Sequence, residues 1–301
     1  MRQMHSISTS SLEIAYEESG PATGDPLILL HGWPYDPRSF DDVVAQPEGA
    51  GYRVLVPYVR GFGPTRYANA GVRRSGQQTA LALDVVELMD ALGLPQATLA
   101  GFDWGNRSAI IVAALWPERV RALVSCAGYT VIDPAVMHLY PGTPAQLHQA
   151  WYRFVLNAPN AETYLRDHRD AFARECWKLW SPGWDFPDAL FTETSRSFQS
   201  EDWVQTTLHC YRFWYGNAAG EPRLEPLERR LRSKPPVLAP TIVLAATDDP
   251  LFPAAFSKGQ EGLFKGPYER RVVQHAGHYL PKEAPEAFTQ ALLDVRAMVQ
   301  G

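Results

Sequence analysis

An aspartate between two glycines stands where a buried strand is expected to turn sharply into a helix. The sequence there is Gly101-Phe102-Asp103-Trp104-Gly105. Residues 97–100 form a short apolar run that predicts the strand, and residues 108–116 predict the helix that follows. The glycines let strand and helix approach closely, so the turn can hold its middle residue in a strained, exposed conformation. We expect the Asp103 carboxylate to act as a nucleophile at the carboxyl end of a sheet; alternatively, it only caps the helix.

A second carboxylate and a histidine follow in the chain order that is expected of α/β-hydrolases, which is nucleophile, acid, histidine. Asp248 and Asp249 come directly after a predicted strand, and Gly277 and His278 come after the last one. We assign Asp249 as the acid, with Asp248 as the alternative. We assign His278 as the base because Gly277 lets the chain present the imidazole at a strand end, and His275 is the alternative.

The loop His31-Gly32-Trp33-Pro34 follows the first long apolar strand and predicts part of an oxyanion hole. Hydrolases of this type need two backbone N–H donors, one from this loop and one from the residue after the nucleophile. Trp33 and Trp104 are the residues in those places. The Trp33-Pro34 bond is a candidate cis peptide because cis-proline occurs in buried tight turns.

Apolar strand-like runs alternate with helical patterns, which predicts an α/β protein with a mostly parallel central sheet flanked by helices. The alternation stops at residue 131 and strand signals return only at residue 240. A connection of that length predicts an inserted helical domain, so we divide the chain into a core (1–130), a helical cap (131–236) and a second core segment (237–301). The predicted strands are residues 12–17, 26–30, 52–57, 97–100, 120–126, 240–244 and 271–274.

The composition limits the classes of partner. The chain has 301 residues and a net charge of -5, which gives no electrostatic reason to bind nucleic acid or an acidic membrane surface. No apolar run is long enough to span a bilayer or to form a signal peptide, so we expect a cytoplasmic protein. The three cysteines have no metal-type spacing and are expected to be reduced. We expect no metal and no organic cofactor, and a homodimer stays open.

Taken together, these segments resemble the epoxide hydrolases of the α/β-hydrolase fold, the branch with an aspartate nucleophile that is related to the haloalkane dehalogenases. One departure is Pro64-Thr65-Arg66, which follows Arg60-Gly61-Phe62-Gly63 where a small residue is usual. The motifs that carry the resemblance span nearly all of the core: residues 31–34, 60–63, 101–105, 249–253 and 277–278.

The resemblance also implies two tyrosines in the cap, which donate hydrogen bonds to the epoxide oxygen. Trp151-Tyr152-Arg153-Phe154 and Cys210-Tyr211-Arg212-Phe213 are similar to the two contexts, although Arg153 replaces an expected amide. A neutral phenol can stabilise and then protonate the alkoxide that ring opening creates. The predicted cap contains five tyrosines, which are Tyr140, Tyr152, Tyr164, Tyr211 and Tyr215.

These residues predict a two-step reaction on a small apolar epoxide. Asp103 would form a covalent ester, and water activated by His278, which Asp249 orients, would hydrolyse that ester to a vicinal diol. Six of the nine tryptophans lie in the cap and predict an aromatic cavity between cap and core.

Two alternatives stay open. A haloalkane or haloacid dehalogenase would use the same triad, with Trp104 and a cap tryptophan holding the halide; an acid-selective enzyme would normally have an arginine in the place of Trp104. A non-catalytic small-molecule receptor on the same fold is the other alternative.

Overall fold

The computed structural model describes residues 2–137 and 143–300, so Tyr140 lies outside the described residues. The strands within this part of the chain are β1 (Gln3–Ser8), β2 (Leu12–Ser19), β3 (Asp25–Leu30), β4 (Tyr52–Pro57), β5 (Arg66–Tyr67), β6 (Ala97–Gly101), β7 (Val120–Cys126), β8 (Thr241–Ala246) and β9 (Tyr268–Val273). The α-helices are α1 (Ala45–Gly49), α2 (Gln78–Ala91), α3 (Asp103–Leu115), α4 (Pro134–Met137), α5 (Pro144–Gln149), α6 (Trp151–Asn157), α7 (Ala161–Trp180), α8 (Asp188–Ser195), α9 (Glu201–Trp214), α10 (Glu225–Arg232), α11 (Leu280–Glu283) and α12 (Pro285–Gln300). Short 3₁₀ helices occupy Pro37–Phe40, Pro117–Arg119, Arg196–Phe198, Pro222–Leu224, Ala254–Ser257 and Glu261–Leu263.

The strands form one nine-stranded sheet in the order β1-β2-β4-β3-β6-β7-β8-β9, with β5 paired to β2. The pairs that β2 makes with β1, β4 and β5 are antiparallel, and the other pairs are parallel. The central strands are apolar along their whole length because helices cover both faces of the sheet. In β3, for example, Leu27, Ile28 and Leu29 are completely buried. The predicted mostly parallel sheet is confirmed.

Some element bounds differ from the sequence-based expectation. β1 and β5 had not been predicted, and α3 begins at Asp103 instead of near Ser108. β9 was expected at residues 271–274 and lies at Tyr268–Val273. Residues 104–107 carry no helical apolar repeat of their own, so tertiary packing, rather than local periodicity, makes them the first turn of α3.

The part of the chain that connects β7 to β8 is the helical segment. Its helices and loops cover the carboxyl ends of the central strands. The 20-residue helix α7 is interrupted at His168, whose φ of -126° is not helical. α10 packs against the core, since Glu228 accepts hydrogen bonds from Gln77, Gln78 and Thr79 near the start of α2. The division of the chain at residues 131 and 236 stays a prediction.

Two indole hydrogen bonds join the helical segment to Trp33 and Pro34 in the loop after β3. The indole N–H of Trp33 donates to the Thr207 hydroxyl over 2.9 Å, and the indole N–H of Trp177 donates to the Pro34 carbonyl over 2.9 Å. No helix in residues 2–137 or 143–300 is long and apolar enough to cross a membrane.

Candidate active site

The Asp103 turn has the strained conformation that its flanking glycines predict. Phe102 is extended, and Asp103 has a φ of +51°, in the left-handed region that few non-glycine residues adopt. A side chain at Gly105 would place its Cβ 2.0 Å from the Leu30 carbonyl oxygen, so only glycine lets α3 start this close to β3. The turn therefore presents the Asp103 carboxylate at the carboxyl ends of the strands.

The loop after β3 holds one oxygen of this carboxylate. The backbone N–H of Trp33 donates to Asp103 Oδ1 over 2.8 Å, and Asp103 is the first residue of α3, whose N-cap is Phe102. The Trp33-Pro34 peptide is cis, as anticipated. A Cβ at Gly32 would lie 2.5 Å from the Asp103 Cβ, which explains the glycine there. Trp104, the other predicted donor, lies in the first turn of α3, where backbone N–H groups have no partner within the helix.

The predicted histidine and second carboxylate meet Asp103 in one chain of contacts. His278 Nδ1 lies 2.9 Å from Asp249 Oδ2, and His278 Nε2 lies 3.5 Å from Asp103 Oδ2. The other Asp249 oxygen accepts hydrogen bonds from the backbone N–H groups of Leu251 and Phe252. With both of its oxygens engaged, Asp249 can hold the imidazole with Nε2 directed toward the nucleophile.

The alternatives for these two roles lie outside the cluster. Asp248 is exposed and so is His275, whereas Asp249 and His278 are buried. The backbone N–H of His275 bonds to the Thr247 hydroxyl, which fixes its loop away from the nucleophile. The structure therefore brings together Asp103, Asp249 and His278; their roles stay predictions.

The electrostatics of the cluster favour an ionised nucleophile. Burial alone would raise the pKa of Asp103, but His278, Arg107 and the Trp33 N–H outweigh burial and lower it. Burial likewise opposes the charged form of His278, yet the carboxylates of Asp249 and Asp103 raise the pKa of the imidazole above its ordinary value. The two carboxylates therefore favour the imidazolium form of His278.

Tyr152 and Tyr211 lie together over this cluster. Their ring centroids are 5.4 Å apart, and both rings pack against the Trp33 ring. Burial raises the pKa of Tyr152 to about 12, with Arg153 opposing, and burial raises the pKa of Tyr211 well above 10. The negative charge of Asp103 contributes to both pKa shifts, so both phenols are neutral proton donors near the nucleophile at ordinary pH.

Tryptophans form much of the wall around these groups. Trp33 packs against Trp104, Trp180 and Trp203, with ring centroids 5.9 to 6.3 Å apart. The indole N–H groups of Trp104 and Trp180 are buried and have no hydrogen-bond partner among the residues that the structure describes. The wall is therefore apolar with unused N–H donors.

Sequence reasoning missed several contributors to the site. Trp180 accepts the backbone N–H of His278 through its carbonyl over 2.9 Å. Glu283 accepts the backbone N–H groups of Gly277 and Tyr279 and thereby holds the loop on both sides of the histidine. Only Arg107 left a signal, as a lone cation in an otherwise apolar helix pattern. Over the described ranges, no group of His, Cys, Asp or Glu side chains could hold a metal ion.

The family of the chain follows from comparison with known proteins. A model of the family described as the alpha/beta hydrolase fold matches residues 25–285, so the chain belongs to that family. A solved structure of a proposed epoxide hydrolase from Klebsiella pneumoniae is 42% identical, with a TM-score of 0.94 over 98% of this chain and 97% of that one. The chain is an epoxide hydrolase-like α/β-hydrolase.

Two curated relatives complete the comparison. Epoxide hydrolase A of Mycobacterium tuberculosis is 24% identical over 96% of this chain and 95% of its own length. A haloalkane dehalogenase of Mycobacterium marinum is 34% identical over 125 residues, but the chain spans only 40% of that relative's length. Both chemistries considered from the sequence therefore occur among the relatives.

Proposed function

We propose that the protein is an epoxide hydrolase that opens an apolar epoxide ring to a vicinal diol through an ester on Asp103. The carrying observation is that the Asp103 carboxylate, at a φ of +51°, lies 3.5 Å from His278 Nε2 and shares its surroundings with two buried phenols. An aspartate in this turn supports a reaction in which the substrate alkylates the nucleophile. A serine in the same place would instead be acylated by its substrate.

The first step needs an ionised nucleophile and a proton donor on the other side of the breaking bond. Asp103 attacks an epoxide carbon and the C–O bond of the ring breaks. The oxygen takes a hydrogen bond and then a proton from Tyr152 or Tyr211, whose raised pKa values keep them protonated. The products of this step are a hydroxyalkyl ester and a phenolate.

The second step restores the enzyme. Ester formation removes the charge of Asp103, which is one of the two carboxylate charges that raise the pKa of His278. The imidazolium can then pass its proton to the phenolate and, as a neutral imidazole, take a proton from the attacking water. The backbone N–H groups of Trp33 and Trp104 stabilise the oxyanion, and the ester breaks to release the diol. The second proton of that water goes to the departing diol oxygen, which leaves Asp103 as a carboxylate and His278 as an imidazolium again, so epoxide and water balance diol.

Dehalogenation is the second candidate because of one specific observation. Within residues 2–137 and 143–300, the indole N–H groups of Trp104 and Trp180 are buried without partners, and a departing halide ion could accept a hydrogen bond from both. Two phenols are not needed for that reaction, since a halide leaves without protonation. The phenol pair therefore favours the epoxide.

A parallel assay separates the two functions. Styrene-type epoxides and 1-haloalkanes would be incubated with the enzyme, with diol measured by chromatography and halide by ion chromatography. Diol formation that disappears in the Asp103→Asn variant is expected. Halide release with no diol from any epoxide would assign the protein to the dehalogenases instead.

A further inference from the structure

A cavity of about 460 Å³ lies beside the candidate active site, between the helical segment and the core. Three of its lining residues connect it to the reacting groups. The Phe252 ring stacks on the His278 ring, Arg153 Nε donates to the Tyr152 hydroxyl over 3.0 Å, and Arg107 lies one helical turn after Asp103 in α3. A substrate that reaches Asp103 from this side would extend into the cavity.

Arg107 is a buried cation with an unused donor. Its side chain is only 3% exposed, Nε donates to the Thr130 carbonyl over 2.9 Å, and Nη1 is buried with no hydrogen-bond partner among the described residues. The guanidinium lies 4.6 Å from the centroid of the Trp214 ring. Burial lowers the pKa of Arg107, and the charge of Asp103 opposes that change. An unused donor on a buried cation is costly unless a ligand satisfies it.

Arg153 adds a second positive charge to the same cavity. Its guanidinium lies 6.0 Å from the centroid of the same Trp214 ring, and its charge lowers the pKa of Arg107. Within the described ranges, neither guanidinium has an ion pair with a carboxylate. The cavity also contains Lys234 and Arg232, and its one acid, Asp133, lies 3.8 Å from Arg232. The lining therefore carries an excess of positive charge.

We propose that this cavity binds a carboxylate on the substrate, so that the preferred epoxide carries an anionic group beside its ring. The inference rests on the proposed function and changes its substrate class from an apolar epoxide to an epoxide that carries a carboxylate. Arg107 lies one helical turn after Asp103, and the charges of the two groups shift each other's pKa values, so a carboxylate held by Arg107 lies in the neighbourhood of the nucleophile. A 2,3-epoxy carboxylate carries both groups in one short molecule, and its product is a 2,3-dihydroxy carboxylate.

The carboxylate takes no part in bond changes. The epoxide C–O bond breaks, water supplies the new hydroxyl, and the charge of the anion is the same before and after. Binding of the anion satisfies the unused Nη1 donor and offsets the repulsion between Arg107 and Arg153. It also fixes which epoxide carbon faces the nucleophile, because the carboxylate anchors one end of a short molecule.

The test uses two substrates that differ in charge and little in shape, oxirane-2-carboxylate and oxirane-2-carboxamide. The wild-type kcat/KM is expected to be roughly 10- to 100-fold higher for the carboxylate, the size of a charge-assisted hydrogen bond. In Arg107→Gln, the ratio of the two values should fall to about one, and Arg107→Lys should retain part of it. Arg153→Gln is the second variant and should also lower the ratio.

Arg229→Gln is the matched control. Arg229 is exposed on α10, the helix that also carries Arg232, but it does not line the cavity. The variant loses one positive charge and should keep the wild-type preference. An equal kcat/KM for both substrates in the wild type, or a preference that survives in both Arg107→Gln and Arg153→Gln, would overturn the inference while leaving epoxide hydrolysis intact.

A binding measurement keeps the inference independent of turnover. Titration calorimetry with 2,3-dihydroxypropionate and its amide should show at least roughly tenfold tighter binding of the anion to the wild type, lost in Arg107→Gln and retained in Arg229→Gln. If the anion is preferred but neither epoxide is opened, the proposed function fails and the anion site stands. Equal binding of acid and amide refutes the anion site.

Discussion

Replacing His278 with glutamine should stop the proposed reaction halfway. General base catalysis by a positioned side chain contributes about 10²- to 10⁴-fold, so ester hydrolysis should slow by that factor. The rate of ester formation should fall less, because Arg107 and the Trp33 N–H still lower the pKa of Asp103 when the imidazole is absent. The ester should therefore accumulate to about one equivalent per chain.

Mass spectrometry of the intact protein measures the adduct directly. Epoxide opening expels no leaving group, so the chain should gain the whole mass of the epoxide, whereas a haloalkane would add its mass less hydrogen halide. Digestion should locate the adduct on the peptide with Asp103. His275→Gln is the control, since that imidazole is exposed, and it should turn over without an adduct.

Two results would refute this reasoning. A folded His278→Gln variant that hydrolyses the epoxide at the wild-type rate would show that another group activates water. An adduct on any residue other than Asp103, or one that persists when Asp103→Asn is combined with His278→Gln, would assign the nucleophile elsewhere.

Three further predictions concern the same cluster. Asp103→Asn should abolish turnover with a melting temperature within a few degrees of the wild type, because asparagine tolerates the φ of +51°; full activity in the folded variant contradicts the mechanism. Tyr211→Phe alone should slow ring opening by about 10²-fold or less, and the pair with Tyr152→Phe should nearly silence it in stopped-flow measurements; wild-type rates in the double variant would favour dehalogenation. Asp249 raises the pKa of His278 in the folded protein above the unfolded value of about 6.5. The pair therefore contributes fully to the free energy of unfolding below pH 6.5, and this contribution is lost as the pH rises through the pKa of the folded state. Asp249→Asn should thus weaken the decline of melting temperature at alkaline pH, and an unchanged slope in calorimetric scans would contradict the pairing.

The central strands were predictable because their signal is local. A run such as Asp25–Leu30 is apolar over nearly its whole length, and only a strand buried on both faces requires that. β1 and β5 lacked such a signal: Gln3–Ser8 is largely exposed at the sheet edge, and Arg66–Tyr67 has only two residues. Their pairing with β2 depends on the fold around them.

The residues of the candidate site also divide into those with a local sequence signal and those without one. Asp103, Asp249 and His278 could be found because each has a short local context at a strand end and the three occur in a known order. Trp180 could not, since its importance comes from which atoms meet it in space, and the lone cation Arg107 in an apolar helix pattern gave a signal without a role. Arg153 looked like a departure from the expected pattern, yet its guanidinium donates to the Tyr152 hydroxyl.

The bonds from Thr207 and Trp177 to the Trp33-Pro34 turn bear on how enzymes of this architecture could be recombined. A helical segment grafted from a relative would have to supply a hydroxyl and an indole at the same two places. Otherwise the Trp33-Pro34 turn, whose Trp33 N–H binds the Asp103 carboxylate, would lose two hydrogen bonds that hold it in place. Chimeras made to change substrate preference would then lose reactivity as well. The transferable unit is the helical segment together with residues 31–34.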